Sequence, residues 1–186
     1  MNDNEEIEDL INEALKNDEN AFRSLIKKVE PQMYKISKIR LRDEELIYEA
    51  TQNTIILIYK NLKKLKDKKL FRTWVMKILI NECNKIYNKQ KKYIFNNNEY
   101  KENGELLIYN QYDDVESNLN IKKLLNCLND NEKVVMTLYY NDNFTTKEIS
   151  CILREPEGTV KSQISRSKNK IKEYIKENRL YGWWTW

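Results

Sequence analysis

Apolar side chains recur at intervals of three and four residues along most of this chain. The pattern is clear in Leu10, Ile11, Ala14 and Leu15, and again in Leu46, Ile47, Ala50, Leu57 and Ile58. This period gives an α-helix one apolar face, whereas a half-buried β-strand needs a period of two. The 186 residues include only three glycines and two prolines, so residues that form tight β-turns are scarce. The sequence therefore predicts an all-α protein.

The absence of histidine removes most common catalytic sites from consideration. An imidazole general base, a Ser-His-Asp triad and any zinc site that contains histidine are all excluded. The cysteines Cys83, Cys127 and Cys151 are far apart and never spaced as C-x-x-C, so neither a disulfide framework nor a thiolate metal site is expected. Because the acidic residues occur as surface runs, a metal-dependent nuclease is not indicated either. We expect no catalytic residue, no metal and no cofactor.

The N-terminal segment is acidic and lacks the basic and apolar regions of a signal peptide. No uncharged apolar run approaches the roughly 18 to 20 residues that a membrane span needs. Together with the cysteine pattern, which suits a reducing compartment, these features predict a cytoplasmic protein.

Charge is segregated along the chain. Residues 1–20 carry eight acids and one lysine, residues 60–92 carry twelve bases and two acids, and residues 161–179 carry seven bases and two acids. Residues 93–117 are acidic and polar, which predicts a flexible linker. Two basic modules joined by an acidic linker favour a polyanion that is bound at two places. A solvated surface would give the same counts, so charge alone leaves both interpretations open.

The first module, residues 1–92, is predicted to be a helical bundle. Two amphipathic helices precede Pro31, and residues 32–41 continue helically. A long helix follows through Leu46 to Leu62, and a fourth helix runs from about Leu70 to Lys89. The apolar set of the fourth helix is Phe71, Trp74, Val75, Ile78, Leu79, Cys83 and Ile86. Trp74 could stack on a base, but its spacing within this set places it in the core.

The second module, residues 118–180, has the spacing of a helix-turn-helix. Asn129 or Asp130 is expected to cap one helix, and Thr145 or Thr146 to cap the next and shorter one. A tight connection through Arg154, Glu155 and Pro156 then leads to a basic helix that starts near Glu157. Its inward face carries Val160, Ile164, Ser167 and Ile171, and its outward face carries Lys161, Ser162, Ser165, Arg166 and Asn169. Those outward donors can reach phosphates or base edges, although an antiparallel helix pair with a solvated face has the same spacing.

Two stretches of the chain resemble bacterial sigma factors of the extracytoplasmic-function group, which is group IV of the sigma-70 superfamily. Residues 143–150 and 156–167, with the core Gly158-Thr159-Val160-Lys161-Ser162, resemble region 4. Residues 49–53 and 71–78 resemble region 2, in the order that the family requires. The resemblance implies two small helical domains, region 2 over residues 1–92 and region 4 over residues 118–180, joined by the linker.

This resemblance implies an alternative sigma factor, a dissociable initiation subunit of RNA polymerase with no catalytic site of its own. The implied partners are core RNA polymerase, through the clamp helices of its largest subunit and the flap of its second-largest subunit, and promoter DNA. A cognate anti-sigma factor is also implied, which could hold the protein near the membrane. No small-molecule substrate is implied.

The resemblance assigns residues to three contacts. Core polymerase would bind Glu45, Glu49, Gln52 and Asn53. Recognition and melting of the minus-ten element would involve Lys64, Lys66, Lys68, Lys69, Arg72, Lys77, Asn81, Asn84 and Lys85. The minus-thirty-five element would be read by Lys161, Ser162, Gln163, Ser165, Arg166 and Asn169. Gln163 stands where the family often has a basic residue and Ser165 where it often has a larger one, so the promoter sequence is open.

The family does not explain residues 181–186, which contain Trp183, Trp184 and Trp186. Packing onto the protein is favoured, and a partner or a membrane interface remains open. The alternative to a sigma factor is a stand-alone helix-turn-helix regulator that binds duplex DNA without polymerase. A two-component regulator would need a receiver domain, and residues 1–92 show no βα alternation.

Overall fold

The computed structural model describes residues 3–96 and 125–178, which fall into two compact units. Seven α-helices and no β-strand make up the regular structure of these residues, together with three short helical turns. The all-α prediction is confirmed. Most of the predicted linker and the tryptophan-rich tail lie outside the described residues.

The N-terminal bundle consists of four helices. They are α1 (Asp3–Ala14), α2 (Glu19–Leu41), α3 (Glu44–Asn61) and α4 (Phe71–Asn96). Two 3-10 turns, Leu62–Lys64 and Lys68–Leu70, connect α3 to α4. Asp18 and Asp43 cap α2 and α3, since each carboxylate accepts hydrogen bonds from two backbone N–H groups of the first turn. The fourth helix extends beyond Lys89, to Asn96.

Helix α2 is continuous through Pro31, so the segments on either side of this proline form one helix. A proline cannot donate the N–H that would bond the carbonyl one turn earlier, which normally weakens a helix. Pro31 is exposed, and the opposite face of α2 buries Val29, Met33 and Ile36 completely. Burial of each such side chain contributes about 1.5–3 kcal/mol, enough in sum to offset the lost hydrogen bond.

The core of the bundle forms where α2 packs against the other three helices and α3 packs against α4. Phe71, Val75, Leu79 and Cys83 of α4 are fully buried in it. Trp74 is only half-buried, so the expectation of a core position was wrong in degree. Its ring centroid lies 6.3 Å from that of Phe71, at the flank of the buried stripe, and Ile78 one turn later is half-buried as well.

The C-terminal unit contains α5 (Asp130–Met136), which continues into a π-helical turn (Thr137–Asn141), then α6 (Thr146–Leu153) as far as Ser150, and α7 (Glu157–Glu177). Helix α5 packs against α7. Val134, Val135, Leu138, Ile149 and Val160 are fully buried. No helix within residues 3–96 or 125–178 is both long and apolar enough to cross a membrane.

An ion pair also joins α5 to α7. Lys170 Nζ lies 2.7 Å from Glu132 Oε1, and Glu132 is 9% exposed. The second carboxylate oxygen of Glu132 accepts the backbone N–H of Asn129 at 3.0 Å, while the Asn129 side chain accepts the backbone N–H of Glu132. This capping box confirms the predicted cap at Asn129 and fixes the start of α5.

Candidate nucleic-acid interface

Helices α6 and α7 form a helix-turn-helix whose turn is fixed by local hydrogen bonds. Thr145 caps α6 in a second capping box with Glu148, as the sequence predicts. The turn begins at Arg154 in the left-handed conformation, with φ 57°. The Ser150 hydroxyl then donates to the Glu155 carbonyl at 2.6 Å. Only three residues separate the helices, so α6 and α7 are held at a defined angle by the backbone itself.

The exposed face of α7 has a ridge of short side chains. Val160, Ile164 and Ser167 are buried on the opposite face, as predicted, while Ile171 is half-buried. The ridge consists of Gly158, Ser162, Ser165 and Asn169, which share one face and are all exposed. Lys161 and Arg166 are exposed on its two flanks. Because no long side chain stands on this ridge, the backbone of α7 can approach a surface closely.

The amino end of α7 has no side-chain cap. Pro156 occupies the cap position, and its carbonyl accepts the N–H groups of Thr159 and Val160. A Cβ atom built on Gly158 would meet nothing within 4 Å, so packing within this unit does not require a glycine there. Uncapped N–H groups and the positive end of the helix dipole favour an anion at this position.

Lys161 is oriented by a neighbouring acid. Its ammonium lies 2.8 Å from Glu157 Oε1, and the same oxygen accepts the Thr146 hydroxyl at 2.7 Å. The hydrogen bond from Lys161, followed by that from Thr146, lowers the pKa of Glu157. Glu157 therefore links the start of α6 to Lys161 and sets the direction in which this lysine leaves the helix.

Gln163 differs from the other residues assigned to the minus-thirty-five element. It is half-buried, and its Nε2 donates to Glu155 Oε2 at 2.8 Å, while its Oε1 is buried without a hydrogen-bond partner. The structure thus places this side chain against the turn and off the ridge. Sequence spacing could not reveal the contact, because it depends on how Glu155 is oriented by the turn.

One residue pair beside α7 was not singled out by the sequence. Lys168 Nζ lies 5.3 Å from the ring centroid of Tyr140, which belongs to the π-helical turn and is 51% exposed. The contact with Tyr140 raises the pKa of Lys168. Lys168 follows Lys161 by two helical turns on the same flank, so the basic edge of α7 is longer than the predicted set.

The lysines assigned to the minus-ten element occupy different environments. Lys64, Lys66 and Lys69 are exposed in and around the 3-10 turns. Lys68 is half-buried and donates to Asn12 of α1. Arg72 is also half-buried: it contacts Asp3 of α1, and its Nη1 donates to Gln32 Oε1 at 3.2 Å. Two of the predicted cations are therefore held by α1 side chains.

The remaining residues of that set lie on α4. Lys77 and Asn81 are half-buried, whereas Asn84 and Lys85 are exposed. Lys85 pairs with Glu82 at 2.6 Å, and Glu82 is 7% exposed. Asn81 therefore lies between the buried and exposed faces of α4.

Helix α3 presents a second exposed face, which we name the α3 outer face. It contains Glu45, Glu49 and Gln52 of the predicted polymerase contacts, and Asn53 is half-buried beside it. Tyr48, Ile56 and Tyr59 lie on the same face and are 65%, 46% and 65% exposed. These three residues are not among the contacts predicted from the sequence. The available signal was their position opposite Ile47, Ala50 and Ile58, which form the buried stripe of α3.

Metal and thiol chemistry find little support in residues 3–92 and 125–178. No group of three or more potential metal ligands occurs in this part of the chain. The Cys83 thiol is buried and contacts the Ser37 hydroxyl at 3.7 Å. Burial raises the pKa of Cys83 to about 11, so this thiol stays protonated and unreactive at neutral pH.

Comparison with known proteins gives concordant results. Residues 118–171 match the model of the family described as sigma-70, region 4. The chain is 24% identical over 179 residues to the ECF RNA polymerase sigma factor SigW of Bacillus subtilis (strain 168). The aligned residues make up 90% of this chain and 95% of SigW.

Two solved structures share the fold. The sigma factor RpoE, in complex with the anti-sigma factor NepR from Bartonella quintana, has a TM-score of 0.66 and 19% identity, covering 83% of this chain and 96% of RpoE. CnrH, in complex with the cytosolic domain of CnrY, has a TM-score of 0.63 and 15% identity, covering 92% of this chain and 98% of CnrH.

Proposed function

We propose that the chain is a sigma factor of the extracytoplasmic-function group, as the region 4 match and the similarity to SigW support, and that its two units divide promoter recognition between them. The chain is an alternative sigma factor that directs transcription by core RNA polymerase. In the proposal, α7 reads the minus-thirty-five element and the N-terminal bundle opens and reads the minus-ten element. The observation that carries it is the helix-turn-helix of α6 and α7, which lies inside the matched region except for residues 172–177 and presents an uncapped ridge of short side chains.

The ridge of α7 suits the major groove. The groove admits an α-helix, and short side chains let its backbone come close to the base edges. Asn169 can donate to and accept from adenine, and Ser162 and Ser165 can bond any base with a free acceptor or donor. Lys161 and Arg166 on the flanks would bond phosphates or guanine edges. Phosphate contacts fix the register of the helix, and the ridge supplies the sequence preference.

The N-terminal bundle suits a separated strand. Melting needs cations for the backbone and a surface that receives an unpaired base. Lys64, Lys66 and Lys69 supply exposed cations in the loop between α3 and α4, which we propose sets base choice. Half-buried Trp74 and Asn81 lie on α4, which follows this loop, so a base can meet an aromatic edge or an amide there.

The α3 outer face suits a helical protein partner. It combines three acids or amides with the exposed side chains of Tyr48, Ile56 and Tyr59. Large exposed apolar groups inside a polar rim are typical of the centre of a protein interface. We assign this face to the clamp helices of the largest core subunit, and the C-terminal unit to the flap of the second-largest subunit.

An anti-sigma factor is proposed as a further partner. Two proteins that share this fold were solved with a bound partner: RpoE with the anti-sigma factor NepR, and CnrH with the cytosolic domain of CnrY. A protein that covers the α3 outer face would keep this chain from polymerase. The chain itself needs no catalytic site under this proposal, since nucleotide addition belongs to the core enzyme, and it acts in the cytoplasm with that enzyme.

The proposal is tested by sequencing the DNA that is retained from a pool of AT-rich promoter fragments. Three samples are compared: core polymerase alone, the chain alone, and both together. The proposal predicts a two-block motif that is enriched only when both proteins are present. In the variant Lys161→Ala/Arg166→Ala, the upstream block should lose its enrichment while the downstream block is retained.

The stand-alone regulator makes the opposite prediction. Such a protein would enrich a motif without polymerase, and core polymerase would add no second block. Lys91→Ala/Lys92→Ala is a suitable control for charge, because it removes two exposed lysines outside the residues assigned to either DNA element. If the control lost the upstream block as fully as the α7 variant, the assignment of α7 to that block would be wrong.

A further inference from the structure

The carboxylate of Asp3 lies between two cations that come from different helices. Its Oδ1 is 3.3 Å from Lys28 Nζ of α2, and its Oδ2 contacts Arg72 Nη2 of α4. Lys28 Nζ also lies 2.6 Å from Glu6 Oε2. The acidic helix α1 thus supplies the anions, while α2 and α4 supply the cations.

This arrangement has the chemistry of an oxyanion site. A lysine and an arginine converge on the two oxygens of a single carboxylate, as they would on two oxygens of a phosphate. Gln32 Oε1 accepts from Arg72 Nη1 at 3.2 Å and so orients the guanidinium. The side chains of Lys28 and Arg72 are 30% and 26% exposed, so the bundle restrains them while solvent still reaches them.

We propose that Lys28 and Arg72 form a binding site for a backbone phosphate of single-stranded DNA, and that Asp3 occupies this site until the nucleic acid displaces it. The inference rests on the proposed role of the N-terminal bundle in minus-ten binding. It adds Lys28 to the residues that contact DNA, and it gives α1 the role of an internal competitor.

The position of α1 supports such a competition. Asp3 is the first described residue of α1, and its side chain is 52% exposed, so it can leave the site without unpacking Ile7 or Ile11. Partial burial acts to raise the pKa of Asp3, but the charges and hydrogen bonds of Arg72 and Lys28 outweigh it and hold the pKa below its ordinary value. The competitor is therefore charged at neutral pH. Asn12 of the same helix accepts a hydrogen bond from Lys68, a further cation of the bundle.

The competition can be measured with the full-length chain and a short labelled oligothymidylate, by fluorescence anisotropy over a series of salt concentrations. Asp3→Asn removes the bridging charge. Glu13→Gln is the matched control, since it removes the same charge from α1. Glu13 pairs with Lys16 and lies about 15 Å along the helix from Asp3. The double variants Asp3→Asn/Lys28→Gln and Asp3→Asn/Arg72→Gln test the cations.

We expect Asp3→Asn to bind more tightly than Glu13→Gln. Its plot of log affinity against log salt should be steeper by about 0.7 for each additional phosphate that the protein binds. Each double variant should lose this increase in affinity. Equal affinities and slopes for the two single variants would overturn the inference, as would an increase that survives removal of Lys28 and of Arg72.

This assay contains no polymerase, so its failure is separate from failure of the proposed function. If the chain directs specific transcription but the two single variants bind alike, only the phosphate site is rejected. If the variants differ as expected but no specific transcription occurs, the phosphate site stands and the sigma-factor role is rejected.

Discussion

Gly158 offers a test in which stability and DNA binding should change in opposite directions. It lies in the first turn of α7, is exposed, and has open space where a Cβ would be. Its φ is not positive, so an L-residue can adopt the same backbone conformation. Nothing in the C-terminal unit therefore requires glycine, and a close approach to DNA is the remaining physical reason for it.

The size of the stability change follows from helix propensity. Glycine costs roughly 0.5–1 kcal/mol relative to alanine within a helix, and the cost falls toward the low end in the first turn. Gly158→Ala should therefore stabilise the C-terminal unit by about 0.5 kcal/mol. For a unit of this size, that stabilisation corresponds to a rise in Tm of about 2–4 °C.

The binding change depends on bulk. Leucine has nearly the same helix propensity as alanine, so Gly158→Leu should give a similar Tm but place a much larger side chain on the ridge. We expect promoter affinity of the holoenzyme to fall from glycine to alanine and again to leucine. Thermal unfolding and mobility shifts on the promoter found by start-site mapping give the two readouts.

Either of two results would contradict the role given to Gly158. If Gly158→Leu bound the promoter as tightly as the wild-type chain, the amino end of α7 would not approach DNA closely. If Gly158→Ala were destabilising, the fold itself would require the glycine, and close approach to DNA would not be needed to explain its presence. A loss of binding together with a raised Tm is the predicted combination.

Three further perturbations have expected outcomes. Glu132→Gln should destabilise the C-terminal unit by about 1–2 kcal/mol at neutral pH, because it removes the charged partner of Lys170. Burial acts to raise the pKa of Glu132, but hydrogen bonds from Lys170 and the backbone of Asn129 outweigh it and hold this pKa below its ordinary value of 4.5. The stabilisation is therefore present above about pH 4.5 and is lost as the pH falls through the pKa of the folded state. Denaturant titrations should therefore show the wild-type and Gln variants converging at low pH, and a constant gap would contradict the assignment. Thr145→Ala should cost about 1 kcal/mol through loss of the cap of α6, and an unchanged Tm would argue against it. Tyr48→Ala and Ile56→Ala should each weaken binding to core polymerase by at least tenfold without lowering Tm. Competition with another sigma factor measures this binding. Unchanged binding would remove the α3 outer face from the proposal.

Local sequence signals predicted the fold well. The caps at Asn129 and Thr145 and the turn that starts at Arg154 depend on residues close in sequence, and each lies where the pattern indicated. The buried stripes of α3 and α7 follow from a period that the helix geometry fixes. These features needed no knowledge of how the helices pack.

Features that depend on contacts between distant residues were not predicted. Trp74 shares a spacing with core residues, but its burial depends on the angle at which α4 meets its neighbours. The pairing of Arg72 with Asp3 joins residues far apart in sequence, and charge counts alone showed only that the two segments have opposite sign. The hydrogen bond of Gln163 with Glu155 depends in the same way on the shape of the turn.

In vitro transcription is the direct test of whether this chain directs promoter-specific initiation. Core RNA polymerase is incubated with AT-rich promoter fragments, with and without the chain, and the start sites are mapped. We expect specific starts that require both components and are lost in Lys161→Ala/Arg166→Ala. If the chain bound duplex DNA but specific starts never appeared, the sigma-factor account would be contradicted and a stand-alone regulator would explain the helix-turn-helix.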